Sequence, residues 1–352
     1  MDYAKEVQDI IATAVREGAS DIHISVDKQP SIRVSSELVT LVKKSVYTKE
    51  DTLGLARELM GKDRFNAFLV NQEADFSYQF EKTHRLRCNA FFQRGCVGIA
   101  LRLIPHVRQM ADLNLPPIVE TFARKKQGFF LAVGPVGQGK STTLASMIDL
   151  INRERREHII TIEDPIEYVF DVNRSIIDQR EVGIDTKDFH SGLISCFRED
   201  VNVIMIGEMR NPETIATAVT AAETGHLVFS TLHTNSASQT IDRILDSFPS
   251  NQQDQIRSQL AASLIGILSQ RLIPRVSGGM VVAYELLINN AAVANLIREK
   301  RTHEIDLVIE TGSEQGMVDM NRCLIDLVRR GEITVEDAYA HSLNPRGLER
   351  SI

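Results

Sequence analysis

Eight consecutive residues constrain this chain more than anything else in it. Gly134-Pro135-Val136-Gly137-Gln138-Gly139-Lys140-Ser141 fits G-x-x-x-x-G-K-[ST] without a gap. The apolar run Phe129–Val133 precedes it, and a helical pattern opens at Thr142. A buried strand, a glycine-rich turn and a helix in that order make a phosphate cradle. The glycines let successive backbone N–H groups converge on phosphate oxygens, and the helix start adds partial positive charge. Lys140 is placed to reach the β- and γ-phosphates, and Ser141 offers a hydroxyl to Mg²⁺. The expected ligand is therefore Mg·ATP, held by residues 134–142, with Thr142 closing the loop. Ser141 also suits a helix cap, and the two roles are compatible.

The strand before the loop is one of several. Phe129–Val133, Ile159–Ile162, Val203–Ile206 and Leu227–Phe229 are short continuous apolar runs, as expected of strands buried on both faces of a parallel sheet. Helical patterns such as Thr142–Arg153 and Pro212–Glu223 lie between them, which predicts a doubly wound α/β domain. The first hundred residues read differently. A helix over Val7–Glu17 is followed by alternating segments at Ile22–Val26, Ile32–Val34, Asp75–Phe80, Leu86–Phe92 and Val97–Leu103, as in a mixed α+β domain with an antiparallel sheet. The expected organisation is an N-terminal α+β domain over 1–105, a linker over 106–117 that holds Pro116 and Pro117, an ATPase core over 118–277, and a helical region over 278–352.

Acidic residues follow two of the apolar strands. Glu208 comes just after Val203–Ile206, at the carboxyl edge where α/β ligands sit, and suits the general base for an attacking water. Glu163 follows Ile159–Ile162 and suits the metal or its waters. Asp164, before Pro165, suits either a turn cap or a catalytic role. His226 and His233 flank the strand Leu227–Phe229. They suit contact with the γ-phosphate or a part in coupling; metal ligation lacks a third ligand at sensible spacing.

Composition excludes some classes. A formal net charge of −7 argues against nucleic acid as the main partner. No apolar run approaches a membrane span; the uncharged stretch Ser258–Gln270 is too short and contains Ser and Gln. Met1–Gly18 is amphipathic and charged, unlike a signal peptide. These features predict a cytoplasmic protein that would approach a membrane from the side. The four cysteines, Cys88, Cys96, Cys196 and Cys323, form no C-x-x-C pair, so no zinc or redox site is expected.

Four boxes together resemble the secretion-type ATPases that drive type II secretion and type IV pili. They are the loop Gly134–Thr142, the acidic segment Thr161–Glu167, the segment Phe197–Arg210 ending in Gly207-Glu208-Met209-Arg210, and the histidine segment Thr224–Thr234. The resemblance covers nearly the whole chain. It implies a RecA-like P-loop ATPase domain preceded by a small α+β (PAS-like) domain and followed by C-terminal helices. It implies a homo-hexamer with nucleotide held between the two domains, where Arg85, Arg87 and Arg102 complete the site. Alternation puts Arg85 and Arg87 on one strand face, as such a role requires.

Within the family, the opening Ala19–Ile24, the helix motif Ala294–Glu299 and the absent tetracysteine zinc element resemble the pilus-retraction branch. That branch implies a hydrolase powering twitching motility by pilin disassembly, bound peripherally to an inner-membrane platform protein at the pilus base. An accessory retraction paralogue, a non-hydrolysing structural subunit and an extension or secretion ATPase are the alternatives. Val136 and Gln138 depart from the commoner Thr and Ser of the loop, and Asn211 stands where Asp is usual. Ala292-Val293 makes the start of the helix motif looser than usual.

Overall fold

The computed structural model describes residues 1–34, 37–81, 84–105 and 107–349. His106, which opens the expected linker, and the last three residues of the expected helical region lie outside them. The chain divides into two compact units. One is Met1–His106 with Glu167–Val169; the other is Val107–Ile166 with Phe170–Ile352.

The first unit is an antiparallel sheet with helices packed on one face. Its strands are β1 (Asp21–Ile24), β2 (Ser31–Val34), β3 (Glu37–Thr40), β4 (Glu73–Phe80), β5 (His84–Gln93) and β6 (Cys96–Leu103), in the order β3-β2-β1-β6-β5-β4. The helix Tyr3–Arg16 starts where the Asp2 side chain accepts from the Lys5 N–H, and it buries Val7, Ile10, Ile11 and Ala14. The helix Lys49–Met60 starts at a reciprocal Thr48–Asp51 capping box and buries Leu55 and Leu59. Strand alternation sends Ile22, Leu86, Cys88 and Leu101 into the same core. It leaves Asp21, Arg85, Arg87 and Arg102 on the opposite face.

The second unit is built on a seven-stranded sheet. Its strands are β7 (Gly128–Val133), β8 (His158–Glu163), β9 (Ile176–Glu181), β10 (Val203–Ile206), β11 (Leu227–Leu232), β12 (Leu264–Pro274) and β13 (Met280–Ile288). The order is β13-β12-β7-β11-β10-β8-β9, parallel throughout except for the antiparallel pair β12–β13. All six residues of β7 and of β11 are buried, as in strands covered on both faces of a parallel sheet. The helix Lys140–Glu154 covers one face, where Leu144, Met147 and Ile148 meet Phe130 and Ala132. The helices Pro212–Glu223, Ala237–Asp246 and Ser250–Ser263 cover the other, against Phe129, Leu131 and Val133.

The region from residue 278 is less purely helical than its sequence suggests, because β13 extends the sheet. Helices then follow at Ala291–Arg298, Ile305–Thr311, Met320–Arg329, Val335–His341 and Pro345–Glu349. Met320 and Leu324 pack with Ile273 of β12 and Val281 of β13. All four cysteines are buried. Among the described residues no helix is long and apolar enough to cross a membrane.

Candidate functional site

The carboxyl ends of four parallel strands gather the chemistry. β7 runs into the phosphate loop, β11 into His233, and β10 into Gly207 and Glu208. β8 ends on Glu163, followed by a cis Asp164–Pro165 peptide. The register aligns these ends: Ile162 pairs with Ile206, Ile206 with Ser230, and Ser230 with Leu131. Side chains of β11 fasten the neighbouring strand end. Ser230 Oγ donates to the Ile206 carbonyl at 2.8 Å and Thr231 Oγ1 to the Gly207 carbonyl at 2.6 Å.

In the loop, Gly134, Gly137 and Gly139 have φ of 145°, 77° and 81°, values that favour glycine. A Cβ on Gly134 would also lie 2.4 Å from the Gln270 carbonyl oxygen, so a side chain there would collide with β12. Lys140 is 6% exposed, and its ammonium donates to the Gly134 and Pro135 carbonyls, both at 2.8 Å. Its third contact is His233 Nδ1, at 3.2 Å. An ammonium can only donate, so Nδ1 accepts and the imidazole proton sits on Nε2. Nε2 lies 3.4 Å from Glu208 Oε1. His233 therefore bridges the loop lysine and the acidic residue of β10. The other Glu208 oxygen pairs with Arg210 Nη2 at 2.9 Å. A cavity of about 230 Å³ lies beside Glu208 and His233, with Arg210 and Arg243 in its wall.

Glu163 is 6% exposed, and its Oε1 accepts from Thr161 Oγ1 at 2.7 Å and from Gln179 Nε2 at 3.1 Å. It stands three strand steps from β7, about 14 Å at the usual spacing of neighbouring strands. His226 is not brought to this edge. It precedes β11 at the amino end, where Nδ1 lies 3.0 Å from the Ala221 carbonyl and the ring meets Phe197 edge-on at 5.6 Å. It caps a helix end, at the opposite edge of the sheet from the phosphate loop.

The three arginines form one patch on the N-terminal sheet. Arg102 is the cross-strand partner of Arg87, and Arg85 lies two residues along β5 on the same face. Arg102 Nε donates to Asp21 Oδ1 at 2.8 Å, and Arg85 Nη2 to Ser77 Oγ at 2.9 Å. Burial pushes the Asp21 carboxyl up, but hydrogen bonds from Arg102 and Ser20 outweigh it and hold the group below its ordinary value.

Residues 3–321 match the family model described as type II/IV secretion system protein. The chain belongs to that family. It is 40% identical to the type IV pilus retraction ATPase PilT of Pseudomonas aeruginosa, over 97% of this chain and 100% of that one. It is 42% identical to a twitching motility protein of Neisseria gonorrhoeae, over 91% of this chain and 86% of that one. A crystal structure of the pilus retraction motor PilT with bound ADP superposes with a TM-score of 0.92 at 46% identity, covering 98% of this chain and 99% of the other.

Within this family member, sequence reading overlooked the partners that hold the site in place. Thr161 and Gln179 on Glu163, and Gln270 beside the loop, are polar residues inside strands. For Gln270 a signal existed: the polar step Ser269-Gln270-Arg271 interrupts an otherwise apolar run that ends at Pro274.

Proposed function

We propose that this chain is a hexameric, Mg-dependent ATPase that powers retraction of type IV pili by driving pilin disassembly, and so twitching motility. It acts in the cytoplasm against an inner-membrane platform protein at the pilus base. The observation that carries the reading is a likeness to a retraction ATPase over nearly the full chain, with Lys140, His233 and Glu208 linked at one sheet edge.

In this reading ATP phosphates settle over residues 134–142. Lys140 exchanges its two carbonyl partners for phosphate oxygens, a stronger contact because both partners are charged. Ser141 and Glu163 fit Mg²⁺: one is a hydroxyl at the helix start, the other a buried carboxylate fixed by two donors. At its distance from β7, Glu163 would hold the ion through water rather than directly. The ion, when bound, neutralises charge developing on the phosphates. Glu208 takes a proton from the attacking water as the new P–O bond forms and the β,γ bridge breaks. His233 holds Glu208 and Lys140 in one arrangement and releases Lys140 as phosphate arrives. Arg85, Arg87 and Arg102 supply positive charge to the transition state when the ring changes shape.

Deletion of the gene in its host, with surface pili counted, tests the reading. Excess pili on non-twitching cells are expected. Bald cells would instead assign the chain to extension. Analytical ultracentrifugation with ATP and Mg²⁺ checks the hexamer.

A further inference from the structure

Gln270 is fully buried in the middle of β12, and both ends of its amide are used. Oε1 accepts from Thr143 Oγ1 at 2.9 Å, in the first turn of the helix that follows the phosphate loop. Nε2 donates to the Gln138 backbone carbonyl at 2.8 Å, inside the loop. A carbonyl oxygen can only accept, so the NH₂ end must face Gln138, and this fixes the orientation of the amide. A second pin lies two residues on. The Gln138 side-chain carbonyl accepts from the Leu272 N–H at 2.5 Å. Leu272 lies past Ser269–Val133, the last pair that β12 makes with β7. The Gln138 side chain thus satisfies a backbone donor that the departing strand leaves behind.

The residues on either side of Gln270 face the other way and hold a different loop. Ser269 Oγ donates to the Asn235 carbonyl at 2.8 Å, and Arg271 Nη2 to Asn235 Oδ1 at 3.2 Å, two residues after His233. Four consecutive residues of one strand therefore grip the phosphate loop on one side and the His233 loop on the other.

We propose that Gln270 is a positioning residue for the nucleotide. It holds the phosphate loop against β12 in the shape that receives the phosphates, in register with the loop that carries His233. Gln138 is the second pin of the same clamp. This rests on the reading of the chain as an ATPase. Without the amide, the Gln138 carbonyl and Thr143 hydroxyl lose buried partners, and the loop must be ordered by the ligand at the ligand's expense.

Equilibrium binding of a fluorescent ATP analogue and steady-state hydrolysis by the full-length hexamer test this. Gln270→Met keeps the length and removes both polar ends; Thr143→Val removes one bond at constant shape. Binding is expected to weaken about tenfold in the first and about threefold in the second. KM should rise in step, with kcat at saturation kept within about threefold. A merely structural role would reduce the folded fraction, lowering kcat at unchanged KM, and that result overturns the proposal. Analogue affinities within twofold of the parent overturn it too, and Thr143→Val decides alone where Gln270→Met does not fold. A parent that binds no analogue overturns the ATPase reading and this one with it. A parent that binds, with variants that match it, overturns this inference alone.

Discussion

Substituting Glu208→Gln separates chemistry from binding, and the structure sets the size of both effects. The change keeps side-chain shape and removes one negative charge. Two contacts are altered: the pair with Arg210, whose side chain is 67% exposed, and the approach of His233 Nε2. An exposed pair of that kind is worth about 0–1 kcal/mol, so the fold is retained. β10 lies two strand steps from β7, which puts the lost charge about 10 Å from the phosphate loop. At an effective dielectric of about 40–80, removing a like charge at that distance favours an anionic ligand by about 0.4–0.8 kcal/mol, so ATP should bind about two- to fourfold more tightly. Losing a general base costs roughly 10²–10⁴ in rate. Steady-state hydrolysis and fluorescent-nucleotide binding read the two effects separately. Turnover within threefold of the parent would refute the assignment of Glu208 as base. A binding loss of tenfold or more would show instead that Glu208 builds the loop rather than acting on its ligand.

Four further outcomes are expected. Lys140→Ala should abolish measurable nucleotide binding by the same fluorescence assay, since it removes the cation seated among the loop carbonyls. His226→Ala should leave turnover within about twofold and lower Tm by a few degrees, because His226 caps a helix at the far edge of the sheet. Arg87→Ala and Arg102→Ala should each slow hydrolysis about tenfold or more with the ring intact by ultracentrifugation; unchanged turnover in both would remove the arginines from the mechanism. Burial pushes the Glu285 carboxyl up to about 7, although it accepts from the Ala237 N–H at 2.8 Å. Its folded value lies above its unfolded one, so the folded state binds more protons between about pH 4.5 and 7. Stability should fall across that window by on the order of 3 kcal/mol, then level off. Glu285→Gln, which still accepts from Ala237, should flatten that slope and raise Tm at pH 8 in thermal melts.

What was legible in the sequence follows from which constraints are local. The phosphate loop can be read because its demands fall on consecutive residues: three backbone positions need glycine, and the lysine and serine sit at fixed offsets from a helix start. Glu208 and Glu163 can be read because each comes at or just past the end of a largely apolar strand, which puts it at the ligand edge whatever the strand order. His226 and His233 look equivalent until direction is considered. They flank the same strand, but parallel strands have chemically distinct ends, and the residue before the strand lies one strand length from the residue after it. That distinction was available in principle, since the phosphate loop also follows its strand. Gln270 is different. Its partners are 127 and 132 positions away along the chain, so no local spacing announces them. They meet because β12 inserts beside β7, and strand order is a tertiary outcome. What the sequence does carry is the cost: the polar step Ser269-Gln270-Arg271 inside a strand otherwise fit for a core is unfavourable unless its side chains find partners. Gln138 carries the complementary signal, a long amide in a loop where a short hydroxyl is commoner. Each is an unexplained polar choice alone, and the sheet makes them two halves of one clamp.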